Sequence, residues 1–205
     1  MTRIYLVRHG RAEGQEGRAV GHHDLPLSAS GAAAARRLGA TWQGPPPDAL
    51  HASDLRRAAA TARLLAAAWG LPVTLDPRLR EIGFGDWEGR AWQEIHERDG
   101  ERFAAWSQEW WTARIPAGES YPELAARAHE WLAEILEVHA GRTVVAVAHG
   151  GSIRALLAHA LGLPRETVFR LRLDPAGVTG LAAGKGGLEV LCVNSGRFPE
   201  AAAGP

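Results

Sequence analysis

The chain has 205 residues, of which 46% are hydrophobic, so it can bury the core of one large domain or two small ones. Its 23 Lys and Arg residues balance 23 Asp and Glu residues, which excludes an overall basic field of the kind that binds nucleic acid. A single cysteine excludes an internal disulfide, and no apolar run is long enough for a signal peptide or a membrane span. We therefore expect a cytoplasmic protein with no membrane partner.

Apolar runs that are typical of strands alternate with alanine-rich helical patterns along most of the chain. This alternation predicts an α/β domain with a mainly parallel sheet. Ser28 or Ser30 is the predicted N-cap of the first helix, and Ser53 that of the second. The predicted strands cover residues 3–8, 48–52, 72–75 and 143–148, and the predicted helices cover 29–42, 55–69, 120–139 and 152–162.

The segment at about 90–120 is rich in tryptophan and follows a glycine-interrupted loop. We predict that it forms a helical cover over the carboxyl edge of the sheet. Trp106 and Trp110 are four residues apart and would share a helix face. Packing within the cover is the favoured interpretation of these rings, and stacking on an aromatic part of a substrate is the alternative.

The last part of the chain changes character from Phe169 onward. Alternating segments joined by the glycine-rich turn GKGG predict strands that include a hairpin. We expect the tail that begins at Phe198, FPEAAAGP, to be frayed.

Two predicted strands are each followed by a histidine and then a glycine. The first is in IYLVRHG, which contains His9, and the second is in TVVAVAHGG, which contains His149. Ligands of open α/β sheets bind at the carboxyl ends of the strands. Gly150 and Gly151 would let the backbone approach an anion, and the helix that follows offers its amide-rich amino terminus to negative charge. Two histidines at matching strand ends therefore indicate an active site.

Further polar candidates follow the second and third strands. Arg56 and Arg57 differ by about 100° around a helix, and Arg57 lies nearer the apolar face, so we assign Arg57 to the site and Arg56 to solvent. Glu81 opens the loop EIGFGDWEG and could place a carboxylate over a bound substrate. Glu88 in the same loop is its rival.

Together, these residues give the chain a resemblance to the histidine phosphatase superfamily, which has the phosphoglycerate mutase-like fold. The resemblance implies a three-layer α/β/α sandwich with a mainly parallel sheet, and a single domain over residues 1–200. The motifs occur in the order expected for that superfamily: RHG at 8–10, GHHDLPLSASG at 21–31, SDLRRAAATA at 53–62, EIGFGDWEG at 81–89, PAGES at 116–120 and AHGGSIR at 148–154.

The resemblance also implies roles for individual residues. His9 would be the phosphorylated nucleophile and Glu81 the proton donor. Arg8, Arg57 and His149 would form the phosphate pocket. Further phosphate or substrate contacts would come from Gln15, which stands where mutases carry Asn, and from Gly21, Ser28 and Gly150.

The chemistry gives an independent reason for these residue types. A phosphomonoester is a dianion, and two guanidinium groups neutralise it through bidentate contacts that lysine reproduces poorly. A neutral imidazole can attack phosphorus near pH 7, and a glutamic acid can protonate the departing oxygen. We therefore expect no metal and no cofactor.

The resemblance is strongest to the small phosphatases, especially the α-ribazole phosphatase branch, so we expect hydrolysis of a small phosphorylated metabolite, such as α-ribazole 5'-phosphate. A cofactor-dependent phosphoglycerate mutase is the alternative. Mutases carry a longer, arginine-rich insertion where WWTARIPAGES supplies only Arg114. A phosphate-binding regulatory module ranks last. The partners expected are the substrate and, if the chain assembles at all, a second copy in a homodimer.

Overall fold

The computed structural model describes residues 1–43 and 46–199, and its centre is one six-stranded sheet. The strands are β1 Thr2–Arg8, β2 Ala49–Ala52, β3 Thr74–Leu75, β4 Thr143–Ala148, β5 Val178–Gly184 and β6 Gly187–Ser195. Their order across the sheet is β3-β2-β4-β1-β5-β6. The first four of that order run parallel, and β5 and β6 form an antiparallel hairpin at one edge. The predicted mainly parallel sheet and the hairpin are confirmed.

The predicted helices are present, with ends that differ by a few residues. The first stops three residues before the predicted end, at Gly39, and the last begins at Gly150, directly after its strand. The α-helices are α1 Ala29–Gly39, α2 Arg56–Trp69, α3 Trp92–Arg98, α4 Gly100–Gln108, α5 Tyr121–Val138 and α6 Gly150–Leu161. Within the described ranges, none of these helices is long and apolar enough to cross a membrane.

Helices cover both faces of the sheet, because both faces are apolar. Alternate residues of β1 point to opposite faces: Ile4 and Leu6 join the core beneath α5 and α6, and Tyr5 and Val7 join the core beneath α1 and α2. A parallel strand that is buried on both faces reads as a continuous apolar run, which is what the sequence shows. The three-layer α/β/α arrangement is therefore the predicted one.

The sequence identifies the start of α1 correctly but not the start of α2. Ser28 is the N-cap of α1 and accepts a hydrogen bond from the Gly31 N–H, as predicted. Ser53 does not cap α2, which begins only at Arg56, and the Ser53 hydroxyl accepts instead from the Leu55 N–H before the helix. The Arg56 N–H donates to the carboxylate of Asp24, so a separate loop supplies this cap.

The end of the chain also departs from expectation. Phe198 is buried, with its ring against those of Tyr5, Trp42 and Trp69, so the tail is anchored at its first residue. An aromatic residue gains more from this burial than the chain loses by ordering a short segment. The rest of the expected frayed tail, residues 200–205, lies outside the described residues.

Candidate active site

The predicted histidines meet because β1 and β4 are parallel neighbours. The strand register aligns Arg8 with Ala148, so both strands end at the same edge of the sheet. The ring centroids of His9 and His149 are 4.8 Å apart, and both rings are buried. The His9 N–H donates to the Ala148 carbonyl at 3.0 Å, which holds the two strand ends together.

The hydrogen bonds of His9 define the state of its ring. Nδ1 lies 2.6 Å from the Gly10 carbonyl, which can only accept, so Nδ1 carries the hydrogen. Nε2 accepts from Arg57 Nε at 3.3 Å and therefore keeps its lone pair. Burial, followed by the Arg57 charge, lowers the pKa of His9 to about 3. His9 is thus a neutral imidazole with its free nitrogen beside a cation.

Arg57 is 1% exposed and is fixed by backbone carbonyls of the loop that precedes α1. Nη2 donates to the Gly21 carbonyl at 2.6 Å and Nη1 to the His23 carbonyl at 3.0 Å. Burial lowers the pKa of Arg57, and the Glu81 carboxylate opposes that shift. Arg56 is exposed on α2, as predicted for the arginine that faces solvent.

Arg8 approaches the same space from the end of β1. Its Nη1 donates to the Leu173 carbonyl at 2.5 Å, and its Nε is buried without a hydrogen-bond partner among the described residues. The two guanidinium groups leave donors available for an anion, which is the arrangement that bidentate phosphate binding requires.

Glu81 occupies the amino terminus of α6. Its carboxylate accepts from the Gly151 N–H at 2.9 and 3.1 Å and from the Ile82 N–H at 3.0 Å. The sequence predicted that Gly150 and Gly151 would let the backbone approach a ligand there, and at Gly151 the space holds the Glu81 side chain. A Cβ on Gly151 would lie 2.1 Å from Glu81 Oε1, so glycine is needed for this approach. Gly150 faces Arg154, Glu81 and Arg8.

Glu88, the rival carboxylate, ties two loops together. It accepts from the N–H groups of His22 at 2.8 Å, His23 at 2.6 Å and Phe84 at 2.6 Å. Gly21 precedes these histidines with φ +43, and a Cβ there would meet the Glu88 carboxylate at 2.5 Å. The position of Glu88 therefore holds the loop, and Glu81 is the carboxylate that borders His9.

His149 is fully buried, and burial together with the nearby His9 lowers its pKa well below the usual value. Its Nε2 is 2.9 Å from the Ser53 hydroxyl. That hydroxyl accepts from the Leu55 N–H and keeps one hydrogen and one lone pair for His149. When the hydroxyl donates to Nε2, His149 Nδ1 carries the ring hydrogen, and Nδ1 has no partner among the described residues.

Arg8, His9, Arg57 and Glu81 border a cavity of about 170 Å³, here called the catalytic cavity. His149, Gly150 and Glu88 are not among its lining residues. Gln15 borders it and is held by a hydrogen bond from the Ala12 N–H to its side-chain oxygen at 2.9 Å. Ser28, a predicted contact residue, does not border this cavity. Its hydroxyl accepts from the Gly31 N–H in the cap of α1 and donates to the Arg11 carbonyl. The lining residues are Arg8, His9, Gln15, Arg18, Val20, Gly21, Arg57, Glu81 and Phe84.

A second cavity of about 230 Å³, here called the aromatic cavity, shares Glu81 and Phe84 with the first. The predicted cover supplies Trp106 from α4, but the helix ends at Gln108, so Trp110 lies in the following turn and not on the same helix face. The lining residues are Glu81, Ile82, Phe84, Trp92, Trp106, Trp110, Tyr121, Leu124, Gly151, Arg154 and Phe169.

Sequence reasoning missed the residues that fix the backbone at Glu81. Arg127 on α5 donates to the Arg80 and Glu81 carbonyls at 2.7 Å and pairs with the carboxylate of Glu119 at 2.8 Å. His22 Nε2 also donates to the Glu81 carbonyl, at 2.7 Å. Arg127 lies in the middle of α5, far from Glu81 in sequence, so only the three-dimensional structure relates it to Glu81.

The six-stranded α/β/α fold and two histidines between two arginines define a class of phosphoryl-transfer site. A sequence profile of the histidine phosphatase superfamily (branch 1) matches residues 4–196, and the chain belongs to this superfamily.

Individual relatives include both phosphatases and mutases. Adenosylcobalamin/alpha-ribazole phosphatase of Escherichia coli (strain K12) is 33% identical over 173 residues, which cover 84% of this chain and 85% of that protein. The probable phosphoglycerate mutase GpmB of Salmonella paratyphi C is 36% identical over 178 residues, which cover 84% and 81%. The solved structure of a putative alpha-ribazole-5'-P phosphatase from Escherichia coli has a TM-score of 0.89 at 29% identity, with coverage of 97% and 98%.

Proposed function

We propose that the chain is a phosphomonoester hydrolase that acts through a phosphohistidine at His9 on a small phosphorylated metabolite. The state of the His9 ring carries the proposal: Nδ1 is held by the Gly10 carbonyl, and the lone pair of Nε2 lies beside Arg57 in the catalytic cavity. A neutral nitrogen nucleophile inside a cationic pocket is suited to attack a phosphate dianion.

In the first half-reaction, His9 Nε2 forms a bond to phosphorus as the bond between phosphorus and the ester oxygen breaks. Arg8 and Arg57 offset the negative charge of the phosphoryl oxygens. His149 can donate from its unpartnered Nδ1 to one of those oxygens. Protonated Glu81 transfers its proton to the departing alkoxide, because its carboxyl group borders the catalytic cavity.

In the second half-reaction, ionised Glu81 removes a proton from water, and the water oxygen forms a bond to phosphorus as the bond to His9 Nε2 breaks. Inorganic phosphate leaves, and Glu81 is protonated again for the next cycle. The arginines occupy the role that divalent cations have in other phosphoryl-transfer sites, so we propose that no metal takes part. We also propose that residues 1–200 act as one phosphatase domain, because the residues that line the two cavities are spread from Arg8 to Phe169 and the strands on both sides of them form one sheet.

The substrate proposed is α-ribazole 5'-phosphate or a close analogue. Two observations support it: relatives that carry this name cover most of the chain, and an aromatic cavity adjoins Glu81, where the alcohol part of a substrate would lie.

Phosphoglycerate mutase activity is the second candidate, because GpmB matches the same share of this chain as the phosphatase relative does. Arg114, the one arginine of the WWTARIPAGES segment, donates to the Gly118 carbonyl and pairs with Glu123 at the surface. It is not among the residues that border either the catalytic or the aromatic cavity. The position of Arg114 therefore favours hydrolysis.

Single-turnover labelling tests the proposal. Wild-type protein mixed with radiolabelled phosphomonoester should form an acid-labile, base-stable phosphoenzyme, and His9→Ala should lose both this adduct and turnover. Label of the same stability on His9→Ala protein would refute the assignment. Assays of a phosphomonoester panel with and without EDTA should give equal rates, and activity lost to EDTA and restored by a divalent ion would refute metal independence.

A further inference from the structure

The aromatic cavity contains polar groups that the proposed reaction does not use. Arg154 lies one turn after Gly150 on α6 and borders this cavity. Its Nε and Nη2 both donate to the Leu171 carbonyl, at 3.2 and 2.9 Å. Nη1 makes no hydrogen bond to another described residue, and no carboxylate within the described ranges forms an ion pair with Arg154. One edge of this guanidinium is fixed, and the other is available to a ligand.

The available edge points toward the junction of the two cavities. A Cβ added to Gly150 would lie 2.9 Å from Arg154 Nη1, 3.7 Å from Glu81 Oε2 and 3.8 Å from Arg8 Nε. Arg8 Nε is itself buried and unpartnered in the described part of the chain. Two guanidinium edges and the Glu81 carboxyl group therefore surround Gly150. Arg8 borders the catalytic cavity, Arg154 the aromatic cavity and Glu81 both, so these side chains lie where the two cavities meet.

A second buried polar group borders the same cavity as Arg154: the Tyr121 hydroxyl. It is buried without a partner among the described residues, and burial raises the pKa of Tyr121 to about 12. Buried donors without partners cost free energy, so a bound oxygen atom here would recover it.

The remaining walls of the aromatic cavity suit a flat ring. Phe169 and Trp110 meet edge to face at 4.4 Å between ring centroids, and the Arg154 guanidinium carbon lies 5.7 Å from the Phe169 ring centroid. Trp106 and Phe84 form a second edge-to-face pair, at 6.4 Å. Aromatic walls of this kind bind planar apolar groups and disfavour a fully hydrated sugar.

We propose that Arg154 is a specificity-determining residue: its Nη1 donates to an oxygen of the substrate's alcohol, close to the phosphate ester, while the aromatic cavity holds a flat ring of the same alcohol. The preferred class is therefore a phosphomonoester whose alcohol carries both an oxygen near the ester and an aromatic ring. This inference rests on the proposed function, because Glu81 must stand between phosphate and alcohol.

Three synthetic esters separate the two contacts: 2-hydroxy-3-phenylpropyl phosphate has both features, 3-phenylpropyl phosphate lacks the hydroxyl, and 2-hydroxypropyl phosphate lacks the ring. We expect wild-type kcat/KM to favour the first over each of the others by about tenfold.

Arg154→Ala should remove the preference for the hydroxyl. Phe169→Ala should reduce the preference for the ring, and this side chain is 59% exposed, so the variant should fold. Arg63→Ala, an exposed arginine on α2, is the matched control that should keep both ratios.

The outcomes separate this inference from the proposed function. His9-dependent turnover with equal wild-type kcat/KM for the three esters would overturn the role of the aromatic cavity and leave the phosphatase proposal standing. A hydroxyl preference that persists in Arg154→Ala would overturn the role of Arg154. If wild-type protein hydrolyses none of the three esters and does not hydrolyse p-nitrophenyl phosphate either, the proposed function itself is overturned.

Discussion

Two adjacent arginines on α2 differ in solvent exposure and in their contact with His9. Arg57 is buried beside His9, and Arg56 is exposed. Removal of Arg57 deprives the phosphate dianion of a charge-assisted partner, so Arg57→Ala should lower kcat/KM by about 100-fold or more. Arg56→Ala should stay within about threefold of wild type, because exposed charges contribute little. Equal losses in the two variants, at equal folded yield by circular dichroism, would contradict the assignment.

Glu81 and Glu88 can be separated by the leaving group. Glu81→Gln should lower kcat/KM for alkyl phosphates by about 100-fold or more, because a poor alkoxide leaving group needs the proton. The value of kcat/KM for aryl phosphates, whose phenolate departs unaided, should fall much less, because this parameter reports the steps up to phosphohistidine formation. With p-nitrophenyl phosphate the burst of phosphohistidine should persist while the later steady-state rate falls, because Glu81 also activates the water.

Glu88→Gln is the matched control, since the Glu88 carboxylate accepts only from backbone N–H groups of the two loops. It should show no dependence on the leaving group. A selective alkyl defect in Glu88→Gln but not in Glu81→Gln would transfer the proton-donor role to Glu88.

The sequence locates residues that follow a strand or lie at a fixed helical angle. His9 and His149 end strands, and Arg57 is distinguished from Arg56 by 100° of helix rotation. Arg127 and Arg154 carry no such signal. Each is the single arginine of its helix, and its contact with the site depends on how α5 and α6 pack over the loop of Glu81.

At the scale of elements, the start of α6 is shaped around the Glu81 carboxylate. Gly151→Ala should displace that carboxylate, because the new Cβ would lie 2.1 Å from Oε1 and the flexible end of Glu81 would move before the helix does. We expect a selective loss on alkyl phosphates, about tenfold, that resembles a partial Glu81→Gln defect. Stability in urea should change by less than about 1 kcal/mol, since alanine is the better helix former.

Gly100→Ala is the control for this substitution. Gly100 also opens a helix, α4, and a Cβ there would meet nothing within 4 Å. Gly100→Ala should leave the ratio of kcat/KM for alkyl phosphates to kcat/KM for aryl phosphates at the wild-type value. If Gly151→Ala kept that ratio as well, the Glu81 carboxylate would not depend on this glycine.

Element boundaries depend on contacts that are distant in sequence. The cap of α2 comes from Asp24, 32 residues before Arg56, so no local pattern around Ser53 could reveal it. The cover helix α4 ends at Gln108, before Trp110, because the following turn packs Trp110 against Tyr121 and Phe169. Periodicity predicted that a helical cover exists, but tertiary packing decided where its helices end.

For the whole molecule, the fold buries both histidine rings almost completely, while His9 still borders the catalytic cavity that admits substrate and water. The ends of β1 and β4 are the centre of the sheet edge, with α2 on one face and α6 on the other. Burial there keeps His9 neutral and nucleophilic, but it also makes protonation costly for the folded state. Catalysis and acid sensitivity thus have one physical cause.

The free energy of unfolding should therefore fall as pH decreases below about 6.5. The unfolded chain protonates its histidines near that pH, whereas folded His9 has a pKa of about 3 and the pKa of folded His149 is also lowered. At pH 5 the His9 ring costs about 2 kcal/mol relative to pH 7.5, and the His149 ring adds a cost of the same sign. Carboxylates whose pKa is lowered, such as Asp54 and Glu119, lose stability only at still lower pH.

Urea unfolding at pH 7.5 and pH 5.0 measures this difference. Wild-type protein should lose more than about 2 kcal/mol between the two pH values, and His149→Gln should lose measurably less than wild type, whatever its absolute stability. His96→Gln removes an exposed histidine and controls for the change in composition without touching either buried ring. If His149→Gln and wild type lose the same free energy, the folded state must tolerate a charged His149, and the account of two buried neutral rings is wrong.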